Sequence, residues 1–442
     1  MCGHTHTMIE NQPQLATQLC MRNLRLMITN CTRACEVSVN SETGRLRAVL
    51  LHRPGVEIER MTPLNASHAL YSDILSKHNA DREYKRFSDV LERWTQVYYV
   101  EDILPQLLHD PAIRHTLATP QIEEWAAAQA AQMGDNSEQA LAEHLSRILI
   151  EGYEDPAWDG VTDHRYLVEP LYNLFFTRDA SSTIYNRVLI NSMSFPVRER
   201  ETHIYEAIFR HFFHVDMLNT LAWNPSARTE GGDVQVASPD LLCIGQGIRT
   251  NNKGIDYLAQ TFAREREHFH ILVQQLPHEP ESFIHLDMVF TFLSRHHCMA
   301  FEPMLKKQGL FAAMPTTLIS IDHGNITYRE VHDLVDGLRT LGWDITPVIC
   351  GGTDPWVQLR EQWHSGANFF ALGEDKVLGY RRNVRTIDAL NHAGFDVLNA
   401  EDVVSGKENM DNHDKFVVAF PASELPRAGG GARCMTMPLL RD

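Results

Sequence analysis

The motif best suited to nucleophilic chemistry lies near the C-terminus, where three glycines precede a cysteine. Residues 429–435 have the sequence GGGARCM, which places Cys434 just after the glycine run. Glycines make a pliant loop that can move over a pocket, and a reactive thiol needs access and a lowered pKa. Cys434 is therefore a candidate nucleophile. The alternative is a glycine linker beside a buried structural cysteine.

A second motif places an imidazole close to a carboxylate. Residues 284–290, IHLDMVF, favour a β-strand, in which successive side chains point to opposite faces. His285 and Asp287 would then share one face, and the apolar side chains on the other face would anchor the strand in the core. The alternative interpretation is an ordinary solvated strand face.

Two further motifs contribute carboxylates. In residues 230–233, EGGD, two glycines permit a tight turn that places Glu230 and Asp233 at the entrance of a strand. Residues 173–179, NLFFTRD, are typical of a buried strand that leads into a turn, and they end at Asp179. Each of these motifs is weak when it is considered alone.

The elements that would position these residues alternate between strands and helices. The patterns predict strands at residues 46–52, 187–193, 241–245, 297–301, 368–372, 377–381 and 396–398. Residues 74–157 show helical spacing and no strand signal, so we expect a helical bundle inserted after the first strand. The order of elements indicates an α/β protein built from repeated strand–helix modules. Residues 1–41 form a predicted N-terminal extension.

Composition excludes several classes of partner. The formal net charge of −17 argues against nucleic acid and anionic membrane surfaces, and it would attract a cationic substrate. No apolar run is long enough to predict a membrane span. Eight cysteines in 442 residues fit free thiols in a reducing cytosol, so we expect a cytoplasmic protein. We also expect a homo-oligomer, although the sequence does not determine the oligomeric state.

The four motifs, in this order and spacing, resemble the arginine deiminase family of guanidine-modifying enzymes. The opening segment 44–55, GRLRAVLLHRPG, is also similar to the first strand of that family. The resemblance extends from about residue 42 to the C-terminus. It implies a pentein-type α/β propeller of five strand–helix modules around a pseudo-fivefold axis. Residues 42–73 and 158–442 would form the catalytic unit, 74–157 would form the inserted helical domain, and no metal or organic cofactor would be required.

The resemblance also implies catalytic roles. Cys434 would attack the guanidinium carbon and form a covalent thiouronium intermediate. His285 would act first as a general acid and then as a general base. Asp179 and Asp287 would hold the guanidinium N–H groups, because carboxylates match that planar fork. Glu230 would orient or tune His285, and a carboxylate beside the imidazole should favour the imidazolium.

Six further residues would bind the amino-acid end of the substrate: Leu70, Asn173, Phe176, Arg198, Asp233 and Arg249. Asn173, Arg198 and Arg249 match family positions that hold the α-carboxylate. Gly429 stands where the family has a loop arginine, and Arg433 is interpreted as a surface charge.

The leading functional hypothesis is hydrolysis of free L-arginine to L-citrulline and ammonia. Three alternatives stay open: amidino transfer to an amine, hydrolysis of another guanidino amino acid, and non-catalytic arginine binding. The last is disfavoured, because a binding protein needs no nucleophile.

Overall fold

A computed structural model describes residues 34–158, 160 and 165–442, so most of the predicted extension lies outside the described residues. The described strands are β1 Leu46–Leu51, β2 Gln96–Tyr99, β3 Tyr153–Glu154, β4 Tyr166–Val168, β5 Ser181–Ile184, β6 Arg187–Ile190, β7 Asp216–Asn219, β8 Val234–Ser238, β9 Leu241–Gln246, β10 His268–Gln275, β11 Phe290–Phe292, β12 His297–Ala300, β13 Thr316–Asp322, β14 Asn325–Val331, β15 Thr346–Ile349, β16 Phe370–Gly373, β17 Lys376–Tyr380, β18 Asp396–Asn399, β19 Phe416–Phe420 and β20 Met437–Arg441.

The strands are joined by helices of very different length. The described helices are α1 Lys77–Trp94, α2 Val100–Leu107, α3 Pro111–Leu117, α4 Pro120–Gln132, α5 Glu138–Glu151, α6 Glu199–His211, α7 Thr220–Trp223, α8 Asn252–Glu265, α9 Glu302–Leu305, α10 Leu334–Thr340, α11 Pro355–Trp363, α12 Val384–His392 and α13 Ala400–Ser405. None of these helices combines the length and the apolar character that crossing a membrane would require.

Five of the described sheets repeat one pairing unit, which is an antiparallel pair followed by a third strand parallel to the second. In chain order the units are β5–β6 with β7, β8–β9 with β10, β11–β12 with β15, β16–β17 with β19, and β20–β1 with β2. A parallel partner requires a crossover connection, and helices α6, α8 and α1 lie in three of the crossovers. The strands predicted from the sequence at these places are confirmed, with small differences at their ends.

The largest apolar cluster among the described residues lies where helix α1 packs near strands β1 and β2 and near strands β16 to β19. Tyr84 and Phe87 on one face of α1 belong to it, as do Phe176 and Cys434 from the motifs. The candidate nucleophile is therefore attached to the main core and not to a free loop.

Two of the predicted strands consist largely of turns. Only Phe290–Phe292 is a strand in the second motif, because Leu286–Met288 forms a 3₁₀ turn in which the N–H of Met288 donates to the carbonyl of His285 over 3.1 Å. His285 and Asp287 consequently do not share a strand face. The prediction for residues 173–179 is wrong in the same way, since the N–H of Phe176 donates to the carbonyl of Asn173 over 2.9 Å.

The expectation that residues 74–157 contain no strand is also wrong. Gln96–Tyr99 lies directly between two helices and pairs in parallel with β1, in the register Leu51 with Tyr99. A strand of four residues offers too little alternation to be distinguished from the helical patterns on either side.

Candidate active site

A cavity of about 340 Å³ brings most of the motifs together. Its lining includes Leu70, Asn173, Phe176, Asp179, Arg198, Arg249, His285, Gly429, Gly430 and Cys434. A larger cavity, of about 730 Å³, lies beside His52 and Glu101 and has no cysteine in its lining, so it does not suit thiol chemistry. The chemistry predicted from the sequence belongs to the smaller cavity.

Cys434 sits in a turn, and its thiol lies beside the carboxylate of Asp287. It is buried, and Sγ lies 3.9 and 3.7 Å from the two carboxylate oxygens of Asp287. Burial, and then the charges of Asp287 and Asp179, raise the pKa of the thiol well above its ordinary value. The thiol is therefore protonated at neutral pH while the cavity holds no cation. A cation between the two carboxylates would remove that opposition to the thiolate.

The glycines before Cys434 are needed for close packing. A Cβ on Gly430 would overlap the Phe176 ring, and a Cβ on Gly431 would lie 2.5 Å from the side chain of Asn368. Gly429 has a φ of +86°, a conformation that few other residues adopt readily. The backbone at Gly430 and Gly431 is therefore packed closely against Phe176 and Asn368, whereas the sequence suggests a pliant loop.

His285 is held between two carboxylates. Its Nε2 lies 3.0 Å from Glu230 Oε2 and its Nδ1 lies 3.8 Å from Asp179 Oδ1. Burial lowers the pKa of the imidazole, but Asp179 and Glu230 outweigh that effect and raise the pKa to about 9. Gly232 permits the packing, because a Cβ there would lie 2.5 Å from His285 Nδ1. This geometry favours the imidazolium that the sequence predicts.

Glu230 is buried and accepts hydrogen bonds from several directions. Arg249 Nη1 donates to its Oε2 over 3.0 Å, and the N–H of Ser194 donates to its Oε1 over 3.0 Å. Burial raises the pKa of Glu230, but Arg249 and His285 outweigh that effect and bring the pKa down to about 2. Glu230 is therefore a fixed anion that orients the imidazole.

Among the described residues, one carboxylate oxygen of Asp179 accepts a hydrogen bond and the other accepts none. Arg198 Nη1 donates to Oδ2 over 2.7 Å, whereas the buried Oδ1 has no hydrogen-bond partner among the described residues. A buried carboxylate oxygen without a donor is costly, so this atom marks a place for a ligand N–H. Arg198 also donates to both carboxylate oxygens of Glu201, over 3.0 and 2.9 Å, and Glu201 balances its charge.

Asp287 is fully buried, and it accepts a hydrogen bond from Arg433, which the sequence analysis placed on the surface. Arg433 Nη1 donates to Asp287 Oδ2 over 2.9 Å, and its Nε and Nη2 donate to the two oxygens of Glu42 over 3.0 and 2.9 Å. Arg433 is only 1% exposed, so the interpretation as a surface charge is wrong. Burial alone lowers its pKa, but the two carboxylates raise it above the ordinary arginine value.

The remaining predicted residues have different environments. Asn173 Nδ2 donates to the carbonyl of Ala69 over 2.8 Å, and Leu70 has a φ of +65° at the cavity wall. Asp233 is fully buried and does not line the cavity. Its Oδ1 accepts the N–H of Leu286 over 2.9 Å. Asp233 therefore supports the turn that carries His285.

Comparison with known proteins agrees with this geometry. The family model described as arginine deiminase matches residues 68–441. The chain belongs to the arginine deiminase family. An arginine deiminase of Borrelia duttonii (strain Ly) is 30% identical over 433 residues, which is 92% of this chain and 98% of the relative. An arginine deiminase of Borrelia recurrentis (strain A1) matches with the same identity and coverage.

One of the similar solved structures shares its fold with this chain. It is an amidinotransferase of Microseira wollei from the saxitoxin biosynthetic pathway, with a TM-score of 0.51 and 15% sequence identity. The match covers 92% of this chain and 98% of the amidinotransferase. The mixed α/β architecture is therefore the pentein fold, as the resemblance implied.

Four residues of this arginine deiminase family site were missed by the sequence reasoning, namely Glu42, Glu201, Asn368 and Arg433. Arg433 carried a signal, since a charged residue beside a candidate nucleophile invites a search for its partner. Glu42 and Glu201 lie in polar stretches of the chain and Asn368 begins a predicted apolar strand, so only the folded structure brings these three to the site.

The first prediction concerns His285 and pH. Its folded pKa of about 9 exceeds the ordinary value of 6.5, so the stability it contributes is complete below pH 6.5 and is lost as pH rises through about 9. The free energy of unfolding of the wild type, minus that of His285→Gln, should fall by about 3 kcal/mol across this range. Denaturant titrations at each pH measure it, and the subtraction cancels other titrating groups such as His52. A flat difference would show that His285 is not held as an imidazolium.

The second prediction concerns Arg433. Arg433→Met removes the guanidinium that donates hydrogen bonds to the buried carboxylates of Glu42 and Asp287, so it should lower the free energy of unfolding by about 3–5 kcal/mol. Arg427→Met is the control, because that partly exposed ion pair with Glu424 should contribute about 1 kcal/mol or less. Denaturant unfolding compares the two variants, and equal losses would contradict the buried role of Arg433.

Proposed function

We propose that this protein hydrolyses free L-arginine to L-citrulline and ammonia through a covalent cysteine intermediate. The observation that carries the proposal is the buried Oδ1 of Asp179, which accepts no hydrogen bond from the described residues and lines a cavity shared with Cys434 and His285. A guanidinium is always charged and offers N–H groups in a fixed plane, which a buried acceptor of this kind would bind. Membership of the arginine deiminase family supports the same substrate.

Binding would also prepare the nucleophile. In the unliganded cavity Asp287 and Asp179 oppose the thiolate of Cys434. A guanidinium placed between these carboxylates neutralises them, so the substrate itself lowers the pKa of the thiol. Much of the catalytic effect would then come from positioning the cationic carbon next to sulfur in a site that excludes water.

The reaction would proceed in two halves. The Cys434 thiolate forms a C–S bond to the guanidinium carbon, and the C–N bond to one terminal nitrogen breaks as His285 donates its proton to the leaving ammonia. The resulting thiouronium is attacked by water, which gives a proton to the now neutral His285. Cleavage of the C–S bond releases citrulline and returns the thiolate, and the remaining hydroxyl proton is taken up by ammonia to give ammonium. These steps require only thiolate, imidazole and carboxylates.

The amino-acid end of the substrate would lie beside Arg249. This arginine lines the cavity and bonds Glu230 through Nη1, while its Nε has no hydrogen-bond partner among the described residues. Arg198 has Nε, Nη1 and Nη2 donating to protein acceptors, so we assign it chiefly to orienting Asp179. Asn173, Phe176 and Leu70 would complete this end of the site.

The finer architecture is part of the proposal. The repeated pairing unit in five sheets supports five modules arranged around a pseudo-fivefold axis, with the active site near that axis. Helices α2–α5 support a helical insertion within residues 74–157, between catalytic segments 42–73 and 158–442. The cytoplasmic location and the homo-oligomer stay predictions.

The third prediction tests the nucleophile. Cys434→Ala should abolish turnover of L-arginine, because no other described thiol lines the cavity, and arginine binding should stay measurable by calorimetry. Cys350→Ala is the control, a buried cysteine outside the cavity that should leave turnover intact. Mass spectrometry of the products with and without added glycine separates the alternatives. Citrulline without an acceptor supports hydrolysis, whereas ornithine formed only with the amine would overturn it in favour of amidino transfer.

The fourth prediction tests the guanidinium contact. Asp179→Asn keeps the shape of the side chain but removes its charge, so arginine should bind about 10–100-fold more weakly, as expected for one charge-assisted hydrogen bond. Calorimetry in the Cys434→Ala background measures this without turnover. Asp375→Asn, which removes a carboxylate paired with His297 away from the cavity, should leave the affinity unchanged. Normal affinity in Asp179→Asn would remove the contact from the proposal.

A further inference from the structure

Asn368 connects the turn that carries Cys434 with the turn that carries Asp287. It precedes strand β16 and is only 2% exposed. Its Nδ2 donates to Cys434 Sγ over 3.1 Å and to the backbone carbonyl of Asp287 over 3.1 Å. Its Oδ1 accepts the N–H groups of Arg433 and Cys434, over 2.8 and 3.3 Å. Nδ2 also lies 3.8 Å from Met288 Sδ, so both N–H groups and the oxygen of the side-chain amide have partners.

The orientation of this amide is determined by its neighbours. Backbone N–H groups can only donate, so the atom that faces Arg433 and Cys434 must be the oxygen. The NH₂ group is then directed to the sulfur and to the carbonyl of Asp287. Gly431 lets the turn approach this closely, since a Cβ there would meet Asn368. The donor next to the sulfur is therefore fixed.

This donor matters because burial and the carboxylates of Asp287 and Asp179 oppose ionisation of the sulfur more strongly than the backbone of Gly431 and the charge of Arg433 favour it. The contacts of 3.7 and 3.9 Å to Asp287 suit a thiol that donates to a carboxylate. Once the thiol loses its proton, the same carboxylate repels it, whereas the Asn368 N–H stabilises the anion. Within the described part of the chain, Asn368 is the side-chain donor in contact with Cys434 Sγ.

We propose that Asn368 is a positioning residue that holds the Cys434 turn in place and stabilises the thiolate by hydrogen bonding to Sγ. The proposal rests on the proposed function only in naming Cys434 as the nucleophile. Its main test follows the reactivity of the thiol and needs no substrate. Failure of arginine turnover and failure of the Asn368 proposal are therefore distinguishable.

The test measures the rate of carbamidomethylation of Cys434 by iodoacetamide as a function of pH, with the modified peptide quantified by mass spectrometry. Iodoacetamide is neutral, so the charge changes in the variants do not alter its attraction to the site. Asn368→Ala should raise the midpoint of the pH profile by about one unit, and alkylation below the midpoint should slow about tenfold. The value of kcat with L-arginine should fall by a similar factor, with little change in KM.

Asn368→Asp separates hydrogen bonding from a structural role. The aspartate has the same shape and keeps an acceptor for the N–H groups of Arg433 and Cys434, but it replaces the donor beside the sulfur with a negative charge. The midpoint should therefore rise more than in Asn368→Ala. A midpoint equal to or below that of the wild type in either variant would overturn the proposal.

A matched control is available in Asn383, a second buried asparagine, whose Nδ2 donates to the carbonyl of His364. Asn383→Ala should leave the pH profile of Cys434 unchanged. An equal shift in Asn383→Ala would show that the effect is general loosening of the fold, and it would overturn the assignment to Asn368. If Asn368→Ala does not fold, Asn368→Asp alone decides the outcome.

Discussion

The pairing of buried carboxylates with buried arginines is the constraint on which the site depends. A site that binds a cation needs carboxylates without water, and a lone buried carboxylate would take up a proton or destabilise the fold. Each carboxylate here has a cation on its far side: Arg198 for Asp179, Arg249 for Glu230, and Arg433 for Asp287. Two of these arginines are balanced in turn by a further buried acid, Glu201 or Glu42.

This arrangement leaves acceptor capacity directed at the cavity. Arg198 donates to one carboxylate oxygen of Asp179, and the other accepts no hydrogen bond from the described part of the chain, so the orientation of this carboxylate is set before any ligand arrives. The carboxylates around the cavity also raise the pKa of the His285 imidazole and that of the Cys434 thiol, so both groups favour their protonated forms in the absence of a cation. Charge in the cavity and ionisation of the sulfur are therefore coupled.

Turns, and not strands, present the reactive groups. His285 precedes a 3₁₀ turn, Glu230 precedes another at Gly231–Asp233, and Cys434 sits in a third turn before strand β20. A turn leaves some backbone groups without partners inside the turn, and buried polar side chains accept hydrogen bonds from two such N–H groups here. Asp233 accepts from the turn after His285, and Asn368 accepts from the turn of Cys434. The strands provide the frame, and the turns between them hold the candidate catalytic residues.

The sequence by itself determined which residue types could act on a guanidinium, because a thiol, an imidazole and several carboxylates stood in a recognisable order. It also determined the α/β alternation, since strands such as β6, β9 and β17 lie where the patterns predict them. It could not determine that residues 284–290 would turn, because 3₁₀ hydrogen bonds and strand pairing compete over the same few residues. Nor could it reveal that Arg433 is buried against Glu42, a partner 391 residues away along the chain. Burial and long-range pairing are properties of the assembled core, so only the tertiary structure decided which charges the site can hold.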